Sequence, residues 1–341
     1  MTKAPEFWWQ PNLSAKAALL MPAGWIYGAV AARRMRSRPK AKSRLPVICI
    51  GNFVAGGTGK TPFAIRLAER LSEEGHAPGF LLRGYGGKHK GPLPIDPDRH
   101  DAAIVGDEAL MLASVGPTIV SADRAAGAAL AESLEIDILL MDDGFQNPAL
   151  AKDLTIVLVD AAVGFGNGQC IPAGPLRAPV RAQILKADCL IVVGKGEAAE
   201  PAIHLAARKG LPILHAHVEP SRNDALIGRK LFAYAGIGRP EKFFQTLKDQ
   251  GLDVKQTRAF ADHHLFTEQD ARALITQAEE NGLQLVTTAK DMARLETGSG
   301  ELMHWLASRS EVLDVDMVIE EEDRLIALIN ERLRRRQFQT G

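Results

Sequence analysis

The sequence predicts an α/β fold: a mostly parallel sheet between layers of helices, followed by a second, smaller α/β unit. Three observations carry this. Apolar runs such as 138–141 and 191–193 are continuous rather than alternating, as in strands buried on both faces. Through the first two-thirds of the chain such runs alternate with helical patterns. After Lys230 the alternation begins again.

In chain order, the first unit should hold strands at 45–50, 79–82, 118–120, 136–141, 154–160, 188–193 and 212–217. The helix after residue 60 shows an apolar stripe of Ala64, Leu67, Ala68 and Leu71, and Gly75 should stop it. The runs 212–220 and 226–236 are extended and separated by polar residues, which suggests a β-hairpin linker. The second unit should hold strands at 231–235, 254–259, 283–287 and 313–318. Its helix at 268–281 opens with Thr267 as cap and Asp270 three residues on. A last helix near 321–336 ends in four arginines, which suit a solvated helix C-terminus. The expected division is an N-terminal helix in 1–40, a larger α/β domain in 41–211, a two-stranded linker in 212–232 and a smaller α/β domain in 233–341, whose last helix could pack back on the first domain.

Composition sets the outer limits. At about 150 residues per domain, 341 residues make about two domains. Apolar residues are 46% and charged residues 24%, which excludes a disordered chain, a collagen and a polytopic membrane protein. Lys plus Arg equals Asp plus Glu at 41 each, so the chain lacks the basic excess of a general nucleic-acid binder. A monomer is expected. Three widely spaced cysteines fit neither a zinc site nor a disulfide framework and point to a reducing compartment.

The segment 17–32 carries no charge and is followed by Arg33, Arg34, Arg36 and Arg38. It is shorter than the roughly 20 apolar residues of a spanning helix, and Pro22, Gly24 and Gly28 should interrupt it. Aromatics nearby and arginines behind suit a helix lying in an anionic membrane surface. The other reading is a helix packed on the protein's own core.

The strongest chemical signal is 51–61, GNFVAGGTGKT, between a strand and a helix. That is the context of a P-loop, in which glycines let backbone N–H groups converge on phosphate. Ala55, Gly56, Gly57, Thr58, Gly59, Lys60 and Thr61 are the candidate nucleotide-binding residues, with Lys60 for the β/γ-phosphates and the Thr61 hydroxyl for Mg²⁺. One departure is plain: the first glycine of the general pattern falls on Val54. Asp142 and Asp143 end a buried strand, where a metal-binding acid belongs. Further polar clusters fall at expected strand ends or in loops: 83–87, 106–108 before a helix, 123–124, Asp160, 164–168 with 172–177, 262–264 and 287–291. Parallel strands bring such ends to one crevice, and a His-bearing loop from a second domain could complete a phosphoryl-transfer site there. The tandem His263-His264 is weak as a metal site without further ligands.

Together, GNFVAGGTGKTP, LLRGYGG, VGDEALML, DDGFQ, the GNGxxxPAGPLR loop, DHHLF and TTAKDMARL, in this order, resemble the tetraacyldisaccharide 4′-kinase (lipid A 4′-kinase) family over about residues 45–295. The resemblance implies a P-loop kinase of two α/β domains. It also implies transfer of the ATP γ-phosphate to the 4′-hydroxyl of a tetraacylated glucosamine disaccharide 1-phosphate, the lipid A precursor. The site would be the cytoplasmic face of the inner membrane. It further implies Asp107 as catalytic base, His263 as its partner with His264 left open, and Arg177 as a phosphate or transition-state contact. Thr61, Glu108, Asp142 and Asp143 would form the Mg²⁺ shell. The rival class is a partitioning-type P-loop switch. Such proteins carry a lysine just before the two glycines, where this chain has Ala55, and need no second domain with DHH and TTAKD motifs.

Overall fold

The computed structural model describes residues 4–340 apart from 11, 222, 239, 298 and 299. Among these residues the strands form two sheets. The large sheet has nine strands in the order Val315–Ile319, Ile213–Pro220, Cys189–Val193, Leu154–Asp160, Val47–Asn52, Ile138–Asp142, Pro78–Leu82, Thr118–Val120, Leu93–Pro94. All pairs are parallel except at the two edges, where Val315–Ile319 and Leu93–Pro94 run antiparallel to their neighbours. The small sheet is parallel throughout, in the order Asp253–Ala259, Lys230–Ala235, Gln284–Thr287, Ser310–Val312.

The continuous apolar runs are explained by two cores, one on each face of the large sheet. Ile48 and Ile50 point to one, with Phe63, Leu67 and Leu140; Val47 and Cys49 point to the other, with Leu139, Met141 and Val157. Burying each large side chain contributes about 1.5–3 kcal/mol. The stripe on Lys60–Glu73 packs into the first core and seats the loop before it. In the small sheet, the capping box of Thr267 and Asp270 opens Glu268–Asn281 as the sequence suggests.

Three local expectations are corrected. Ala15–Arg36 is one unbroken helix through Pro22. Ser14 Oγ caps it by accepting from the Ala17 N–H at 3.1 Å. Its glycines permit close approach rather than interruption: a Cβ on Gly24 would lie 2.9 Å from the Cys170 carbonyl oxygen, and one on Gly28 would lie 3.0 Å from Cys170 Sγ.

Among the described residues the expected hairpin does not form. Ile213–Pro220 pairs with Cys189–Val193 and with Val315–Ile319, while Lys230–Ala235 belongs to the small sheet. Leu231, Ala233 and Ala235 face one core of that sheet and Phe232 and Tyr234 the other, so this strand needs cover on both sides, which a linker cannot give. The strand expected at 313–318 in the second unit likewise returns to the large sheet.

The arginine-rich terminal helix is not merely solvated. Leu325, Ile326 and Ile329 join the core of the large sheet, and Arg66 grips Glu322 through Nε at 2.9 Å and Nη2 at 2.7 Å. Arg336 is buried, paired with Asp153 and donating to the Arg44 carbonyl at 3.0 Å.

Candidate active site

The loop after Val47–Asn52 is held from both sides. Asn52 Nδ2 donates to the Gly56 carbonyl at 3.1 Å and to Thr58 Oγ1 at 3.2 Å, and the Ala55 N–H donates to the Pro175 carbonyl at 2.7 Å. Gly59 has φ +79° at the helix N-cap, a backbone shape that favours glycine. Val54 answers its own departure from the pattern. It is buried, bridges to Leu176, and its carbonyl accepts from Arg177 Nε at 3.1 Å.

Lys60 and Arg177 converge on Asp143. Lys60 Nζ lies 3.6 Å from Oδ1, and Arg177 Nη1 donates to Oδ2 at 2.9 Å. Burial pushes the Asp143 carboxyl up, but these two cations outweigh it and hold it well below the usual carboxylate range. Asp142 behaves oppositely. It is buried, its Oδ1, like Asp143 Oδ1, has no hydrogen-bond partner among the described residues, and burial together with Glu108 pushes it up to about 7. A buried carboxylate oxygen without a donor is a place for a cation. Thr61, Asp142 and Glu108 offer hard oxygen ligands of the kind Mg²⁺ takes, with phosphate oxygens completing its shell. Among the described residues, no group of three or more acidic, His or Cys side chains makes a metal cage alone.

The helix Asp107–Ala113 sets two adjacent acids in different surroundings. Glu108 Oε1 accepts from Lys290 Nζ at 2.8 Å, and that ammonium holds the Glu108 carboxyl below its usual range. Lys290 loses solvent there, which disfavours its charge, but Glu108 and Asp107 more than compensate and raise its pKa. Asp107 is buried against the second lobe. Its Oδ2 lies 3.3 Å from His263 Nδ1 and also meets Arg294 Nη2. Burial alone would raise the Asp107 pKa; the His263 hydrogen bond and the Arg294 charge reverse that and lower it. The same hydrogen bond raises the pKa of His263 against its own partial burial.

The two histidines differ in their contacts. His264 Nε2 pairs with Asp270 Oδ2 at 3.0 Å and its ring stacks on Phe260 at 4.8 Å, so it serves the small-sheet core. Of the two, it is His263 that reaches Asp107.

Lys60, Glu108, Asp142, Asp143 and Arg177 thus form one group of neighbouring charges, Asp107 stands next to Glu108 and joins the group to His263, and Thr61 follows Lys60 at the start of its helix. Two residues that sequence reasoning left without a role stand with them, Lys290 and Arg294 of the helix Ala289–Glu296. Their signal was present. At i and i+4 they share one face, and Lys290 in a first turn opposes the helix dipole, which calls for a carboxylate from outside.

The match to known proteins covers nearly the whole chain. The family model described as LpxK, tetraacyldisaccharide-1-P 4′-kinase, matches residues 16–334. The chain belongs to this family. A tetraacyldisaccharide 4′-kinase of Methylobacterium nodulans is 51% identical over 86% of this chain and 87% of its own. One from Nitrobacter hamburgensis is 48% identical over 97% of this chain and 98% of its own. A crystal structure of LpxK from Aquifex aeolicus in complex with ATP superposes with TM-score 0.72 at 26% identity, covering 93% of this chain and 99% of that one. That superposition places the α/β architecture, large sheet and small, within the family's fold.

Proposed function

We propose that the protein transfers the γ-phosphate of ATP to the 4′-hydroxyl of a tetraacylated glucosamine disaccharide 1-phosphate in lipid A biosynthesis. The observation that carries this is the meeting of a P-loop and its acids on the large sheet with the His263–Asp107 pair completed from the small one. Family membership supplies the acceptor class.

The residues divide the work. Backbone N–H groups of 56–61 and the Lys60 ammonium hold the phosphates, as phosphoryl transfer depends mainly on positioning and charge neutralisation. Thr61, Asp142 and Glu108 are suited to hold Mg²⁺, which when bound would neutralise charge on the β- and γ-phosphates. Asp143 ties Lys60 to Arg177, and Arg177 in turn fastens the loop through the Val54 carbonyl.

The acceptor hydroxyl must lose its proton as its oxygen bonds to phosphorus. The resemblance implies Asp107 for that task, but its surroundings favour a different division. Asp107 is buried and engaged by two donors, which makes it a poor proton acceptor. His263 carries a partly exposed ring whose Nδ1 faces Asp107, leaving Nε2 to take the proton. Asp107 then orients the imidazole and stabilises the imidazolium, as the third group does for an activated base.

The helix Ala15–Arg36 supports attachment to a membrane surface. Leu19, Ile26 and Val30, spaced i, i+7 and i+11 on one stripe, are 82%, 69% and 55% exposed, and Arg34, Arg36 and Arg38 follow. The helix is long and apolar enough to cross a bilayer. Its Gly24–Gly28 side, however, is fastened to Cys170 and Pro179, which favours a helix lying in the interface. The test of the activity is ATP consumption with and without the acylated disaccharide. Consumption that does not depend on the acceptor would favour a switch-type nucleotidase instead.

A further inference from the structure

Arg294 is almost fully buried and touches both ends of His263's environment. Nη2 meets Asp107 Oδ2, the oxygen that His263 Nδ1 approaches at 3.3 Å, and it lies 3.4 Å from Nδ1 itself. Nη1 donates to Asp291 Oδ1 at 2.7 Å and to the Gly236 carbonyl at 2.9 Å. That same carbonyl accepts the His263 backbone N–H at 3.0 Å. The Gly236 N–H in turn donates to both Asp291 oxygens at 3.1 Å. His263 sits at φ +56°, a left-handed conformation that an L residue adopts only where the surroundings hold it.

We propose that Arg294 is a positioning residue for the His263–Asp107 pair: one guanidinium nitrogen shares the Asp107 oxygen with the imidazole, and the other clamps the main chain that carries the imidazole. The inference rests on the reading of His263 as proton acceptor. It adds that the pair is assembled by a cation of the small sheet, so the acid of the large sheet is aligned only where the helix Ala289–Glu296 docks.

Sharing has a second consequence. The groups facing the His263 ring are Asp107, Arg294, Asp262 at 3.8 Å and the Tyr85 ring at 5.7 Å. Asp107 and Asp262 favour the imidazolium; Arg294 opposes it, both by its charge and by occupying the Asp107 oxygen. Arg294 thereby counters the rise that Asp107 and Asp262 impose on His263, which favours the neutral imidazole that a base requires. The Tyr85 phenol, raised by its partial burial, adds no charge near neutral pH.

The experiment compares Arg294→Gln, Arg294→Lys and His263→Ala with wild type, reading kcat against pH at saturating ATP and acceptor, and KM for ATP. Gln removes the charge but keeps a donor; Lys keeps the charge but cannot span both partners. Both should lower kcat about tenfold or more, with KM for ATP nearly unchanged. In the Gln variant the acidic limb should move to higher pH by about half a pH unit or more, since the imidazole loses a neighbouring cation. In the Lys variant it should stay.

An equal loss at every pH with no displacement of the limb in Arg294→Gln would reduce Arg294 to a structural role and overturn the proposal. Should Arg294→Gln fail to fold, Arg294→Lys decides alone, and kcat at wild-type level there overturns it. The underlying reading fails separately. If His263→Ala retains the limb, His263 is not the acceptor, whatever the Arg294 variants do.

Discussion

Lys60 Nζ and Asp143 Oδ1 lie 3.6 Å apart, and the second oxygen of that carboxylate belongs to Arg177 at 2.9 Å. The P-loop lysine is therefore aimed by an acid at the end of the neighbouring strand, which is itself fixed from the loop 164–177. Lys60→Ala should lower turnover at least about tenfold, since a charge-assisted contact is worth about 1.5–3 kcal/mol. Asp143→Asn should reproduce part of that loss through a rise in KM for ATP, because it frees Lys60 and Arg177 together. The check is steady-state kinetics on both variants with the fold verified by circular dichroism.

Asp142 predicts a metal response. Its carboxyl is buried, lacks a donor at Oδ1 and is pushed up to about 7, so the folded state binds a proton there that the unfolded chain releases at lower pH. With the folded value above the unfolded one, the native state loses stability as pH rises between them. Without metal at pH 8, Asp142→Asn should melt at a higher temperature than wild type, yet need a higher Mg²⁺ concentration for half-maximal activity. Equal Mg²⁺ requirements would remove Asp142 from the metal shell.

The two roles assigned to Asp107 and His263 separate by pH. His263 is raised by its bond to Asp107, so Asp107→Asn should lower the pH of the acidic limb while reducing maximal kcat by about 10²–10⁴-fold. Affinity for ATP should stay near wild type. If Asp107 were itself the base, the limb would vanish rather than move.

Much of this architecture was legible because it depends on local pattern. Buried strands of the large sheet read as apolar runs, the stripe of Ala64, Leu67, Ala68 and Leu71 gave a helix, and the glycine loop fell, as expected, between a strand and a helix. The missing parts depend on partners far apart in sequence. Val315–Ile319 looks like any short strand and takes its sheet from Ile213–Pro220. The glycines of Ala15–Arg36 look like helix breakers until Cys170 is placed against them. Lys290 and Arg294 acquire meaning only when Glu108 and Asp107 arrive from the other sheet, 182 and 187 residues away.

Membrane attachment should depend on one stripe of the first helix. Removing the helix would also remove Ala17 and Met35 from the interior, so point changes are the cleaner probe. Leu19→Ser, Ile26→Ser and Val30→Ser together should weaken binding to anionic vesicles by about a hundredfold, taking roughly 1 kcal/mol for each partly inserted side chain. Gly28→Val, aimed at the other side, should destabilise the fold through its clash with Cys170 while leaving the exposed stripe intact. Undiminished vesicle binding by the triple variant would place the contact elsewhere.

The central claim is that a nucleotide site on one sheet and a His–Asp pair completed from the other perform one phosphoryl transfer. The direct measurement is incubation of the protein with γ-labelled ATP, Mg²⁺ and tetraacyldisaccharide 1-phosphate in detergent micelles, followed by NMR location of the new phosphate on the sugar. The account predicts label on the 4′-oxygen with wild type, and its near-complete loss with both Lys60→Ala and His263→Ala. Label released only as inorganic phosphate, or transfer that survives His263→Ala, would contradict it.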